Sequence, residues 1–184
     1  MRKWNAFISA GIIVLLLIHG IAGSYQLLGL LPGGNTTLEV LAWAMAGLIA
    51  LHMILGIKLT YDTLAACRRS GAPYFRRNLG FWTKRISGFA IILFVILHLL
   101  VFADTGSGLF RLHLFAGKEL AASILLVISL LVHVLTNLKP LAISFGAGGF
   151  YRFLRDALFV LAVVLLACAA AFVFYYLRWN VLWR

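Results

Sequence analysis

The sequence predicts an all-α integral membrane protein, a bundle of five transmembrane helices that forms one domain over residues 1–184. Three observations predict it. Hydrophobic residues make up 64% of the chain and charged residues 11%, too few charges to cover the surface of a soluble domain of 184 residues. Apolar runs of about 20 residues, each long enough to cross a bilayer, recur along the chain. The basic residues concentrate in the short connections between these runs.

The predicted spans follow one another in the order Ala6–Leu28, Leu38–Thr60, Thr83–Ala103, Lys118–Leu138 and Arg152–Leu177. The first span is interpreted as a retained helix rather than a signal peptide, because it carries His19. A turn cluster at 31–35 separates the first two spans. Pro140 is expected to end the fourth span, and glycines between 146 and 149 break the chain before the fifth.

The formal net charge of +11 does not indicate a nucleic-acid partner, because the basic residues form no stripe. With the N-terminus inside, only four of the 16 Lys and Arg residues lie outside: Arg111, Lys118, Arg178 and Arg184. This bias predicts a multi-pass protein of the inner (cytoplasmic) membrane, with a cytoplasmic N-terminus and an outer C-terminus. Cys67 and Cys168 are far apart, which excludes a Cys-x-x-Cys motif and a disulfide framework.

Four consecutive spans each contain one histidine: His19, His52, His98 and His133. Such residues are rare in lipid and usually mark function. From the helical rise, His19 and His98 lie roughly 20 to 22 Å from the inner boundary, and His52 and His133 roughly 10 Å from it. This outer pair and inner pair suit two b-type haems, each held by two imidazoles. One histidine alone could simply hydrogen-bond a backbone carbonyl, but chance would not sort four by depth.

Small and polar residues share the helix faces of these histidines. Gly20 and Gly23 follow His19, and Gly56 follows His52, so these glycines are expected to leave room for a porphyrin. Polar side chains that could orient imidazoles or meet haem propionates lie on the same faces: Gln26, Ser87, Ser129 and Asn137.

The segment Trp82-Thr83-Lys84-Arg85-Ile86-Ser87-Gly88, followed by an apolar run and His98, resembles the cytochrome b membrane-anchor subunit of the succinate dehydrogenase and fumarate reductase family. In its single-chain, two-haem form, that family has five spans with a ligand in each of the first four. The resemblance in span count and histidine placement covers nearly the whole chain. It implies that His19 and His98 bind the iron of an outer haem b, and that His52 and His133 bind the iron of an inner haem b.

The resemblance also implies partners. The family's anchor binds an iron–sulfur subunit and an FAD-containing flavoprotein on the cytoplasmic side, and it passes electrons between their clusters and menaquinone or ubiquinone. The chain is then an electron carrier or a quinone-reactive subunit, and the complexes could pair as dimers. The basic 63–85 region is either a docking surface or ordinary positive-inside bias. Some members carry a glutamate for proton movement two residues before the fourth histidine, where this chain has Leu131.

The quinone has two candidate locations. Glu39 begins the second span near the outer haem and could exchange protons with quinol, although Thr36-Thr37-Leu38-Glu39 is also a capping-box pattern. Related two-subunit anchors place quinone near an Arg-x-Ser-Gly step on the inner side, which makes Arg85, Ser87 and Trp82 rival candidates. Arg85 could instead be a simple interfacial anchor.

Two other functions stay open. The chain could be the di-haem cytochrome b of a hydrogenase or formate dehydrogenase, or a small transporter that uses its histidines for metal or protons. Metal transporters usually add carboxylate or thiolate ligands at the midplane. The carboxylates here all lie near span ends: Glu39, Asp62, Asp104, Glu119 and Asp156. Asp104 and His113 are interpreted as solvated residues of the outer loop.

Overall fold

The computed structural model describes residues 2–71, 78–102, 115–146 and 151–182, and these residues are 91% helical with no strand among them. The helices are α1 (Arg2–Leu27), α2 (Thr36–Ser70), α3 (Leu79–Phe102), α4 (Gly117–Ser144) and α5 (Tyr151–Leu177), the last continued by a π-helical turn at Arg178–Leu182. This confirms the predicted all-α class.

All five helices are long and apolar enough to cross a membrane. Large apolar side chains point away from the bundle, and Leu100 and Phe159, for example, are 74% and 70% exposed. Exposed apolar surface on this scale is unfavourable in water and favourable against lipid. The structure therefore supports the predicted transmembrane character.

Helix α2 continues ten residues beyond its predicted end at Thr60 and is 35 residues long. At about 1.5 Å per residue it measures roughly 52 Å, whereas the hydrocarbon core is about 30 Å thick. Its last turn carries Arg68 and Arg69, whose charges suit the negative end of a helix dipole, and it ends at Gly71 in the left-handed conformation (φ 66°). Hydropathy predicted the lipid-crossing part only.

The prediction that Pro140 ends the fourth span is wrong, because α4 runs on to Ser144. Proline removes one backbone donor, the one that would bind the carbonyl of Thr136. Membrane helices tolerate such a loss. The Ser144 Oγ hydroxyl donates at 2.9 Å to the carbonyl of Pro140 itself and not to that of Thr136. The helix ends before Gly146, whose φ of 77° favours glycine.

Helices α1 and α3 each begin four residues before their predicted limits. In α3 the reason is a cap, since Asn78 Oδ1 accepts a hydrogen bond from the Phe81 amide at 3.1 Å. Several positions named from the sequence lie outside the described residues: Ala103, Asp104, Arg111, His113, Gly148, Gly149 and Arg184.

The first four helices form two antiparallel hairpins, α1–α2 and α3–α4. Helix α1 packs against α2, α4 and α5, and α4 packs against α3 and α5, so α5 braces the junction between the hairpins. Neither α1 with α3 nor α2 with α4 is among the closely packed pairs. An aromatic cluster of Phe115, Phe172 and Tyr175 forms part of the core at one end of α5. The space between the hairpins contains the histidines.

Candidate functional site

The four predicted histidines meet in two pairs across the hairpins. In the outer pair, the ring centres of His19 on α1 and His98 on α3 are 6.0 Å apart, with ring planes at 77°. In the inner pair, the ring centres of His52 on α2 and His133 on α4 are 6.2 Å apart, with ring planes at 87°. Each pair takes one histidine from each hairpin, and the structure brings together the residues that helical depth had grouped.

The spacing within each pair fits one metal ion held between two imidazoles. A metal–imidazole bond is about 2.0 Å and the ring centre lies about 1.2 Å behind the nitrogen, so in-line rings have centres about 6.4 Å apart. A direct hydrogen bond of about 2.9 Å would bring in-line ring centres to about 5.3 Å. The observed separations of 6.0 and 6.2 Å leave room for one metal ion between in-line rings, and they also lie in the range of ordinary edge-on ring contacts.

Each pair supplies two ligands, the number that a bis-histidine haem iron takes from its protein. Within the described ranges, no group of three or more His, Cys, Asp or Glu side chains is placed to hold a metal ion by itself. The donor set of each pair therefore fits a haem, whose porphyrin supplies the other ligands.

Contacts to serine fix the distance between the two pairs. Ser9 of α1 lies beside His52, and Ser87 of α3 lies beside His133. The outer histidines lie ten and eleven residues further along the same two helices, which is roughly 15 to 17 Å. The pairs are thus about 15 Å apart along the bundle, one in each half of the predicted bilayer.

The inner pair adjoins a polar, positively charged cavity of about 400 Å³. Besides the two histidines, its polar lining consists of Asn5, Asn78, Lys84, Arg85 and Asn137. The Arg85 guanidinium lies 5.0 Å from the centre of the Phe81 ring, a cation–π distance. A cavity with two cations and three amides beside an apolar bundle suits carboxylate groups such as haem propionates.

The outer pair lies among aromatic rings instead. The His98 ring centre is 4.7 Å from that of Phe102 and 6.3 Å from that of Phe172. The Nδ1 atom of His98 is buried and has no hydrogen-bond partner in the described part of the chain. A buried polar atom without a partner is unusual, and a ligand or a water molecule bound beside it would explain it.

The glycines beside the histidines have different roles from those expected. A Cβ atom at Gly20 would lie 3.1 Å from Cys168 Sγ, so this glycine makes room for α5 and not for a porphyrin. A Cβ at Gly23 would have nothing within 4 Å, and one at Gly56 would lie 3.9 Å from the Arg85 guanidinium. Open space therefore remains beside Gly23, a Cβ at Gly56 would make an ordinary van der Waals contact, and Gly20 has no room for one.

The polar residues expected near the histidines are also divided. Asn137 Nδ2 donates to the backbone carbonyl of His133 at 2.8 Å, so it steadies the helix and not the ring. Gln26 Nε2 donates to the Pro32 carbonyl at 3.1 Å and holds the turn after α1. Ser129 lines a second cavity of about 290 Å³ between α3 and α4. Of this group, Ser87 alone contacts an imidazole.

Glu39, the outer quinone candidate, is exposed in the first turn of α2. The helix is capped by Asn35, whose Oδ1 accepts from the Leu38 amide at 3.1 Å, so the capping box that starts at Thr36 does not form. The Glu39 carboxylate has no hydrogen-bond or ion-pair partner within residues 2–71, 78–102, 115–146 and 151–182. It is available for another role.

The inner quinone candidates are less alike than the motif suggests. Ser87 is buried, and its hydroxyl is taken up by the His133 ring and the Lys84 carbonyl. Arg85 lines the cavity beside the inner pair. Trp82 is half-buried and meets the Phe81 ring edge-on at 5.2 Å. Ser87 thus belongs to the histidine site. Arg85 and Trp82 stay candidates for the quinone site, and Arg85 also stays a candidate for an interfacial anchor.

Two residues of the site were missed from the sequence. Ser9 contacts His52, and a Cβ at Gly88 would lie 3.4 Å from His133 Cε1. The signal for Ser9 was present, since it precedes His19 by ten residues much as Ser87 precedes His98 by eleven. No protein-family model, curated protein or solved structure matches the chain, so no family is assigned on that ground.

Proposed function

We propose that this chain is a two-haem b-type cytochrome, the membrane anchor of a succinate:quinone or quinol:fumarate oxidoreductase. The observation that carries the proposal is the presence of two histidine pairs with ring centres 6.0 and 6.2 Å apart, at two depths of one transmembrane bundle. The choice of complex rests on the resemblance of the Trp82–Gly88 segment. Its Ser87 and Gly88 both contact His133, so the motif has a physical role at the inner pair.

The chain's own residues would hold the two haems in distinct ways. His19 and His98 would hold the outer haem, and His52 and His133 would hold the inner haem. Lys84 and Arg85 in the inner cavity suit the propionate carboxylates. When bound, haem b accepts and releases electrons. Two such carriers about 15 Å apart span about half of a hydrocarbon core that is about 30 Å thick.

The proposed orientation puts the inner pair near the cytoplasm, where an iron–sulfur subunit and a flavoprotein would dock. The extension of α2 supports this surface, because it carries Arg68 and Arg69 in its last turn. Both are exposed and lie near the predicted end of the membrane, where a soluble partner can reach them. The basic region 63–85 therefore includes a helical platform as well as a connection.

For the quinone we favour Glu39 on the outer side. Its carboxylate is exposed and has no partner in the described part of the chain, so a quinol and solvent can both reach it. The inner alternative has lost one of its groups, because the Ser87 hydroxyl is occupied. A Glu39→Gln variant should retain both haems and lose quinol oxidation. Arg85→Lys should retain both haems and the activity.

The decisive experiment is purification of the tagged chain from its native membranes. We expect a b-type reduced-minus-oxidised spectrum, co-purifying FAD and iron–sulfur subunits, and haem reduction by succinate or reoxidation by fumarate. The His52→Ala/His133→Ala variant is the control, and it should retain only the outer haem. A nickel or molybdenum partner would instead indicate a hydrogenase or formate dehydrogenase, and a haem-free chain that moves metal or protons would indicate a transporter.

A further inference from the structure

Each hairpin places one serine hydroxyl at the Nδ1 atom of its own inner histidine. In the first hairpin, Ser9 Oγ on α1 is 3.2 Å from His52 Nδ1 on α2. In the second hairpin, Ser87 Oγ on α3 is 3.0 Å from His133 Nδ1 on α4. The two contacts join residues 43 and 46 positions apart, and they involve different helices and different residues. Their recurrence indicates a common role.

The direction of these hydrogen bonds follows from counting protons. A serine hydroxyl has one proton to donate and two lone pairs to accept with. Ser9 Oγ donates to the Asn5 carbonyl at 2.7 Å, and Ser87 Oγ donates to the Lys84 carbonyl at 3.3 Å. When each hydroxyl gives its single proton to that carbonyl, it can only accept from the imidazole, and Nδ1 of that ring then carries the hydrogen. A neutral imidazole with its hydrogen on Nδ1 has its lone pair on Nε2.

We propose that Ser9 and Ser87 are positioning residues that fix His52 and His133 in the Nδ1–H tautomer. Both Nε2 atoms are then left unprotonated and able to bind a metal before any haem arrives. The benefit to haem binding rests on the proposed function, but the tautomer is a property of the chain alone. Ser87, a quinone candidate by resemblance, thus acts through a histidine instead.

Packing adds a second constraint in one hairpin. The position of a Cβ on Gly88 would be 3.4 Å from His133 Cε1 and 3.7 Å from its Nδ1. The absence of a side chain at Gly88 allows this edge of the ring to lie against α3, next to the Ser87 hydroxyl. The ring is therefore held by contact as well as by its hydrogen bond. The outer pair has no such device at His98, whose Nδ1 lacks a partner in the described residues.

The first test uses the full chain without haem, in detergent micelles, with ¹⁵N-labelled histidine. Two-bond ¹⁵N–¹H spectra should assign His52 and His133 to the Nδ1–H tautomer. Ser9→Ala should change the tautomer of His52 only, Ser87→Ala that of His133 only, and Ser9→Thr should restore His52 because it keeps a hydroxyl.

Two controls come from serines that donate to the carbonyl four residues earlier, as Ser9 does. Ser24 on α1 donates to Gly20, and buried Ser123 on α4 donates to Glu119. Ser24→Ala and Ser123→Ala should leave both inner histidines unchanged. The inference would be overturned by an Nε2–H tautomer of His52 or His133 in the unmodified chain. It would also be overturned if neither Ser9→Ala nor Ser87→Ala changed a tautomer, even if haem binds.

The haem-loaded chain gives a second readout, the midpoint potential. A hydrogen bond accepted from Nδ1–H makes an imidazole a stronger donor to its metal, so its loss should raise the potential of the inner haem alone. A tenfold change in relative affinity for the two oxidation states corresponds to about 59 mV for one electron. Nδ1–H tautomers in a chain that takes up no haem would support this inference while refuting the proposed function.

Discussion

The inner and outer histidine pairs have nearly the same ring spacing, 6.2 and 6.0 Å, in opposite surroundings. The inner pair has a serine at Nδ1 of each ring and borders a cavity lined by two cations and three amides. The outer pair lies against phenylalanine rings, and the Nδ1 atom of His98 is buried without a partner in the described residues. The two pairs share their ring-centre distance and differ in the polarity of the side chains around them.

If both pairs hold haem, as proposed, their different surroundings should give the two haems unequal properties. Nearby positive charge stabilises an added electron, whereas hydrogen bonds at Nδ1 strengthen the ligand and oppose it. Both influences act at the inner pair, while an apolar, aromatic environment acts at the outer pair. We therefore expect the two haems to have different potentials and different sensitivities to substitution, which gives four ways to test the comparison.

Removal of a ligand has the largest expected effect. His19→Ala and His98→Ala should each abolish one spectral component, and His52→Ala and His133→Ala should each abolish the other. Within a pair, the double variant should lose no more than either single variant, because both residues bind one group. Haem content per chain, measured for each variant, gives the count. Loss of the same component from His19→Ala and His52→Ala would contradict the pairing.

A bulky residue at position 88 should affect the inner haem alone. Gly88→Val adds two methyl groups where even a Cβ would lie 3.4 Å from His133 Cε1, so the ring must leave its place beside Ser87. We expect the inner component to be largely lost and the outer one retained. Gly47→Val on α2 is the matched control, since a Cβ there would have nothing within 4 Å. Equal loss of both components would indicate general misfolding.

Neutralising Arg85 should lower the inner midpoint potential without removing haem. A nearby positive charge stabilises the reduced form of the haem, by an amount that falls with distance and with the effective dielectric constant. Arg85→Gln should show this decrease, and Arg85→Lys should not. Redox titration of the two components measures both. A shift of the outer component, or an equal shift in both variants, would disprove the assignment of this cation to the inner site.

The smallest effect is expected beside the outer pair. Gly20→Ala places a Cβ 3.1 Å from Cys168 Sγ, which forces α1 and α5 slightly apart next to His19. Overpacking of this kind costs about 1–3 kcal/mol, and we expect a value near the lower limit because a single methyl is added. Thermal unfolding in detergent should show a lower midpoint, and Cys168→Ala should restore it. No rescue in the double variant would mean that Cys168 is not the obstacle.

Much of this architecture could be predicted from local pattern. Apolar runs gave the helices, and helical rise alone grouped His19 with His98 and His52 with His133. The end of the fourth span at Pro140 and the end of α2 were predicted wrongly, because turn propensity does not show that a membrane helix tolerates one lost backbone donor, and hydropathy does not follow a helix beyond its apolar part. The ligation of haem stays a prediction.

The contacts between helices could not be predicted, because no local pattern encodes which helix faces which. Gly20 looked like room for a cofactor and instead accommodates Cys168 from the far end of the chain. Ser9 was not predicted as a site residue, although its hydroxyl contacts Nδ1 of His52. Ser87 was predicted to orient an imidazole or meet a propionate and, from the resemblance, to be a quinone candidate, but its contact with His133, 46 residues away, was not predicted.

The most direct test of the account is the number of haems per chain in the purified protein, compared with the His52→Ala/His133→Ala variant. We expect two b-type haems in the unmodified chain and one in the variant, with the remaining component unshifted in wavelength. A haem-free unmodified chain, or a variant that still holds two, would contradict it.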